Sequence, residues 1–179
     1  MKSHRGHIVI LVENLPVPFD RRVWMESCAL TEAGYKVSVI SPCPPEESDE
    51  PDRVIDGIHV YRYPMYEESP SKLSYIREFW YCLRETEKRV RRIWQREGFD
   101  VIHSCNPPDT IWWIGRKYKR RGVKFVFDHH DLCPELYESK FNRRDAFWRG
   151  LRFFERMQFR TADAVIATNE SYREVAMTR

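Results

Sequence analysis

The sequence predicts an α/β fold, a doubly wound and mostly parallel sheet flanked by helices. Three observations predict it. Short apolar runs alternate with longer amphipathic segments along the whole chain. The first three elements read strand, helix, strand within about 35 residues, which is one βαβ unit. Turn chemistry separates the elements, with glycine at helix ends and proline in loops.

The elements follow in order. "HIVILVE" (7–13) is a continuous apolar run and reads as a buried strand. In "FDRRVWMESCALTEAGYKV", Asp20 caps a helix and Gly34 ends it, with Val23, Ser27, Leu30 and Ala33 at helical spacing. "KVSVIS" (36–41) is β-branched and alternating, a second strand. "PCPPEESDEPDR" (42–53) reads as a proline-rich acidic loop, and "DGIHVYRYP" (56–64) as a third strand. A long helix is expected from Pro70 to Glu97, with Leu73, Ile76, Trp80, Leu83, Val90 and Trp94 on its apolar stripe and Gly98 at its end. "FDVIHSCN" (99–106) is a fourth strand. Pro107, Pro108 and Asp109 then supply helix-start chemistry for a helix that Gly122 closes. "VKFVFD" (123–128) is a fifth strand. A loop leads to a helix over 143–160 with Phe147, Leu151, Phe154 and Met157 on its apolar face. "DAVIATN" (163–169) is a sixth strand, and "ESYREVAMTR" begins another helix.

Composition narrows the function classes. The chain has 179 residues, 42% hydrophobic and 32% charged, with a net charge of only +3. That suits a globular domain and not a nucleic-acid binder. No apolar run approaches the roughly 18 residues of a membrane span. The first apolar run is too short for a signal peptide, so the expected location is cytoplasmic. Five cysteines without a CxxC pair predict free, buried thiols and neither a disulfide framework nor a cysteine zinc site. The first turn, "ENLPVPFDRRVW", contains no glycine, and no Walker loop occurs. A dinucleotide-dependent oxidoreductase or a P-loop NTPase lacks its phosphate cradle here.

In a doubly wound sheet ligands bind beyond the carboxyl ends of the strands. Those ends carry Glu13 and Asn14, Ser41, Asn106 to Asp109, His129 to Asp131, and Thr168 to Glu170. Neighbouring strand residues point to opposite faces, so His129 and His130 do not share one metal ion. Asp128 and His130 can share a side, but the sequence offers no evident third ligand. Arg21 and Arg22 stand at a helix start, either to meet an anion or, for Arg22, to pair with Glu26 one turn on. Asp109 is read as a ligand contact or a helix start, and Asn169 as a cap or a contact.

"LVENLPVPFDRRVWMESCALTEAGYKVSVIS", "VIHSCNPPD", "FVFDHHDLCPELY" and "ADAVIATNESYRE" together resemble the N-terminal domain of family-4 (group 1) glycosyltransferases of the GT-B fold. The four pieces occur in family order and cover nearly the whole chain. The resemblance implies one Rossmann-like acceptor-side domain over 1–179. The donor-binding C-terminal domain would be absent from this chain, which alone would be inactive. It implies a retaining, metal-independent transfer from a nucleotide sugar to a glycan, a lipid-linked acceptor or a small molecule, with no cofactor. It places His130 as the histidine that faces the donor sugar, with Asp131 orienting it or the loop. Asn14, Phe19, Asp20, Arg21, Arg22, Asn106, Asp109, Glu135, Asn169 and Glu170 are then candidate substrate contacts. In many members the first turn is glycine-rich. Here proline, Phe19 and Asp20 replace it, which shifts phosphate contact to Arg21 and Arg22. Basic helices carrying Trp80, Trp94, Trp112, Trp113 and Trp148 raise peripheral docking at the inner membrane face, with a plain core role as the alternative. The competing class is a non-catalytic Rossmann-like binding or assembly module.

Overall fold

A computed structural model describes residues 4–47, 52–66 and 72–179, the side chains of 72–76 excepted. Its α/β chain divides into two compact units, Met1–Ile102 and His103–Arg179.

The first unit contains β1 (His7–Leu11), α1 (Arg21–Glu32), β2 (Lys36–Cys43), a 3₁₀ turn (Pro45–Glu47), β3 (Asp52–Ile55), β4 (Ile58–Pro64) and α2 (Lys72–Arg96). Its strands lie in the order β3-β4-β2-β1. β1 and β2 run parallel from His7 opposite Lys36 to Leu11 opposite Ile40, and β2 and β4 also run parallel. Every residue of β1 is buried, as befits a parallel strand covered on both faces. Asp20 caps α1 as expected, its Oδ1 accepting from the backbone N–H groups of Arg22 and Val23 at 3.2 Å each. Gly34 follows the helix at a φ of +89°, a conformation that glycine adopts without strain.

Three expectations in this unit are corrected. The acidic loop over 42–53 is partly strand, because β2 continues through Pro42 and Cys43 and β3 pairs antiparallel with β4. The hairpin between β3 and β4 turns on Asp56 and Gly57, both at positive φ (49° and 82°), a two-residue Asp-Gly turn. The expected third strand therefore starts at Ile58. The stripe on α2 is rotated: Cys82, Thr86, Val90 and Ile93 are buried, whereas Trp80 is 69% exposed. Cys82 and Thr86 face Tyr63 of β4 and the buried Glu13, while Trp80 turns outward. Pro70 and the side chains of Leu73 and Ile76 lie outside the described residues.

The second unit contains the end of β5 (Val101–Cys105), α3 (Trp112–Lys119), β6 (Lys124–His129), α4 (Cys133–Phe141), α5 (Ala146–Thr161), β7 (Ala164–Ala167) and α6 (Glu170–Thr178). Its strand order is β5-β6-β7, with Val126 to His129 of β6 parallel to Ala164 to Ala167 of β7. The helix expected at Pro107 starts only at Trp112. A residue before proline is kept out of helical backbone, and Asn106 and Pro107 both precede a proline. Asp109 is consequently not a cap. The loop expected after "DHHD" holds α4, with Pro134 in its first turn and Asn142 ending it at a φ of 49°. The apolar face expected on the next helix is only half-buried. The wholly buried side chains of α5 are Glu155 and Gln158. Asp145 caps α5 and Asn169 caps α6, the latter accepting from Tyr172 N–H at 3.0 Å. Three cysteines are buried, but Cys28 and Cys133 are only half-buried.

Gly115 shows how tightly α3 seats on β6. A Cβ there would stand 2.6 Å from the Phe125 ring. Gly115→Ala is expected to destabilise the fold, because overpacking costs about 1–3 kcal/mol. The gain in helix propensity, about 1 kcal/mol, does not offset it. Urea unfolding of the two proteins is the check.

Candidate functional site

The second unit gathers its polar residues at the carboxyl ends of β5 and β6. Asn106, just after β5, is 1% exposed and acts as a clamp. Its Oδ1 accepts from the backbone N–H of His130 at 2.6 Å and of Asp131 at 3.1 Å. Its Nδ2 donates to the Asp131 carbonyl at 2.7 Å and to Asp109 Oδ1 at 3.0 Å. Two N–H donors on one side and two oxygen acceptors on the other fix the amide orientation. The loop of His130 and Asp131 is thereby held by a side chain 24 residues earlier.

His130 has a side chain only 14% exposed, and its Nε2 lies 2.5 Å from Asp128 Oδ2. Asp128 is fully buried at the end of β6. His103 Nε2, on β5, is 3.6 Å from the same oxygen, beyond hydrogen-bond range. The sequence offered no third donor beside Asp128 and His130; in the structure two residues of β5 gather at Asp128, without His130. His103 and Cys105 alternate onto one face, and their ligand atoms lie within 4.8 Å of each other and of Asp128. Histidine, thiolate and carboxylate are zinc donors by type. Here Asp128 Oδ2 is already engaged by His130.

Asp109 is buried with its Oδ2 making no hydrogen bond, and burial pushes its carboxyl up to about 7. Cys133, beside it, has its thiol raised well above the ordinary range, again by burial. His129 is wholly buried and packs against Phe127, Phe159 and Tyr172 at ring distances of 5.1 to 5.6 Å. Glu135, in the first turn of α4, is engaged within the chain. It pairs with Arg179, which also donates to Glu155 Oε1 and Oε2 at 2.6 and 2.7 Å. Asn169 is spent on its helix cap, and the exposed Glu170 pairs with Arg173 at 2.5 Å.

The remaining candidates belong to the first unit. Asn14 and Arg21 are exposed, Phe19 is 74% exposed, and Asp20 is buried in its cap. Arg22 Nε is 3.6 Å from Glu26 Oε1, the one-turn pair weighed from the sequence. At the end of β1, Glu13 is buried among Tyr63, Cys82 and Thr86, with neither carboxyl oxygen in a hydrogen bond by geometry. Thr86 is the hydroxyl beside it, and burial pushes Glu13 up to about 8. Nothing in the local sequence distinguishes this glutamate from an exposed strand-end residue.

Glu13 and Asp109 both titrate higher folded than unfolded. The stability such a carboxyl contributes is complete below its unfolded value and lost as pH rises through the folded one. Stability is therefore expected to fall from about 4.5 to about 8 for Glu13 and from about 3.8 to about 7 for Asp109. Glu13→Gln should remove the upper part of that slope, as read by urea unfolding at pH 5, 7 and 9.

This architecture is that of a GT-B glycosyltransferase N-terminal domain. The chain belongs to the glycosyl transferase 4-like domain family, whose profile matches residues 20–177. A search of curated proteins finds no match. Among solved structures, a sucrose-phosphate synthase from Thermosynechococcus elongatus is similar with a TM-score of 0.64 at 16% identity, over 97% of this chain and 81% of that one. A putative UDP-N-acetylglucosamine 2-epimerase from Listeria monocytogenes is similar with a TM-score of 0.61 at 9% identity, over 98% and 42%. UGT2 of Phytolacca americana, complexed with UDP-2fluoro-glucose and pterostilbene, gives 0.60 at 9%, over 99% and 51%. These likenesses concern the fold, and the chain spans about half of the last two proteins, 42% and 51% of their lengths. No helix among the described residues is long and apolar enough to cross a membrane.

Proposed function

We propose that this chain is the acceptor-side domain of a two-domain, nucleotide-sugar-dependent glycosyltransferase in which His130 faces the donor sugar. One observation carries the reading. A buried asparagine and a buried aspartate hold His130 at the carboxyl edge of the sheet, with part of its ring accessible. A histidine so held meets a sugar hydroxyl without first paying the entropy of being ordered. The UDP and UDP-2fluoro-glucose held by structural neighbours support a nucleoside-diphosphate donor. The proposed transfer retains configuration and needs no metal, in the cytoplasm, toward a glycan or lipid-linked acceptor. Exposed Phe19 and Arg21 are the proposed acceptor and phosphate contacts of the first unit.

The test is a transfer assay on the complete gene product with UDP-, GDP- and ADP-sugars and extracted glycans and lipids as acceptors. Acceptor-dependent release of nucleoside diphosphate, unchanged by EDTA and giving a product of the donor's anomeric configuration, is the expected result. Absence of release with every donor would refute the reading.

A further inference from the structure

We infer that Asp128 is a positioning residue: it takes the Nε2–H of His130, so that the atom His130 offers to a substrate hydroxyl is a bare Nδ1. The inference rests on the reading of His130 as a site residue, but it concerns a different atom and a different side chain.

The argument is one of donors and acceptors. His130 Nε2 stands 2.5 Å from Asp128 Oδ2. An ionised carboxylate only accepts, and a neutral imidazole carries one proton. An imidazole is the stronger base of the two by its ordinary value, so the shared proton stays on the ring. In the neutral ring Nε2 is then the donor and Nδ1 holds a lone pair. Nδ1 makes no hydrogen bond among the described residues, and the side chain that carries it is 14% exposed.

Ring and carboxylate have little freedom to exchange these roles. Asp128 is fully buried, at the last turn of a strand that is itself paired on both sides. The His130 backbone is pinned through its N–H by Asn106. The ring therefore cannot turn over to present Nε2 without breaking its bond to Asp128 and leaving a buried carboxylate without that donor. His103 Nε2, 3.6 Å behind the same oxygen, adds a second imidazole edge but no hydrogen bond. Asp131, the other acidic neighbour in the loop, is held by its backbone to Asn106. Among the charged groups of the second unit near the ring, Asp128 is the one in contact with a ring nitrogen.

This gives His130 a polarity. A bare Nδ1 accepts a hydrogen bond from a sugar or acceptor hydroxyl and can take its proton. It does not donate to a ring oxygen or a phosphate unless the ring is protonated. A buried carboxylate that fixes a histidine tautomer is a positioning device with large effects where it has been measured.

The experiment is nitrogen-15 spectroscopy of the complete chain labelled only at histidine. Its six histidines can be assigned by substitution. At a pH where the ring is neutral, wild-type His130 is expected to show a protonated Nε2 and a bare Nδ1, with an Nε2–H resonance protected from water exchange. In Asp128→Ala that resonance should be lost to exchange, with His4, His7 and His59 unmoved; His103, 3.6 Å from the same carboxylate, shifts without gaining or losing a protected N–H. A protonated Nδ1 in the wild type, or a protected Nε2–H surviving in Asp128→Ala, overturns the inference. The wild-type spectrum alone suffices if the variant does not fold. Loss of sugar transfer plays no part in this readout, so failure here and failure of the His130 role are told apart.

Discussion

His130→Ala in the complete enzyme is expected to cut sugar transfer by about 10²–10⁴-fold, the range of a positioned proton-transfer group. The chain itself should stay folded. The His130 side chain is small in contact area and partly accessible, so its loss opens no large cavity. What it removes is one donor to Asp128, a net loss of about 1 kcal/mol for a typical hydrogen bond. Asn106 still pins the loop through backbone groups that alanine retains. Initial rates with the active donor, together with urea unfolding of the same preparation, separate the two effects. His130→Gln is the companion variant, since its amide can still donate to Asp128 but its oxygen is a far weaker base than Nδ1. Both variants losing turnover while unfolding near the wild-type midpoint is the expected pattern. Turnover near wild type in His130→Ala would remove His130 from the reaction.

Much of the fold is legible because its signals are local. β1 is read from five consecutive apolar residues, and α1 from Asp20 at one end and Gly34 at the other. The hairpin of β3 and β4 was also written locally, in Asp56-Gly57. The prolines and acids of 42–51 outweighed it and suggested a loop across the whole stretch. α4 has a weaker trace, a proline at its start and an asparagine after its end, with a short and mixed apolar face. Face selection on α2 was not local. Whether Trp80 or Cys82 turns inward depends on which residues of the sheet the helix meets, here Tyr63 and Glu13 beside Cys82, which periodicity alone does not state.

The candidate site was legible as a place more than as a set of roles. Strand ends in a doubly wound sheet locate it, and His130 lies there. Residue roles depend on partners far away in the chain. Glu135 looked available until Arg179 paired with it, and Glu155 was hidden in a helix whose apolar residues drew attention first. Asp109 looked like a helix start because proline precedes it, yet its carboxyl turns back to Asn106. Asp128 looked like an ordinary strand-end acceptor, and the 2.5 Å approach of His130 gives it a specific partner from the loop.

Asn106→Ala is expected to be the most destabilising single change at the site, by about 3–5 kcal/mol, because one truncation strands several buried groups at once. The amide satisfies two N–H donors, those of His130 and Asp131, and two acceptors, the Asp131 carbonyl and Asp109 Oδ1. Each such group left unpaired away from water costs about 1–3 kcal/mol, and relaxation of the loop recovers part of the sum. Asn106→Asp sharpens the test. It keeps an oxygen for the two N–H groups, but puts a second oxygen against the Asp131 carbonyl and Asp109. With Asp109 itself titrating near 7, the penalty of Asn106→Asp should grow as pH rises from 5 to 8. Urea unfolding at both pH values measures the stability. Amide hydrogen exchange at His130 and Asp131 reports whether the loop has come loose. Protection that persists at both amides in Asn106→Ala would mean that the loop is held by something other than this side chain.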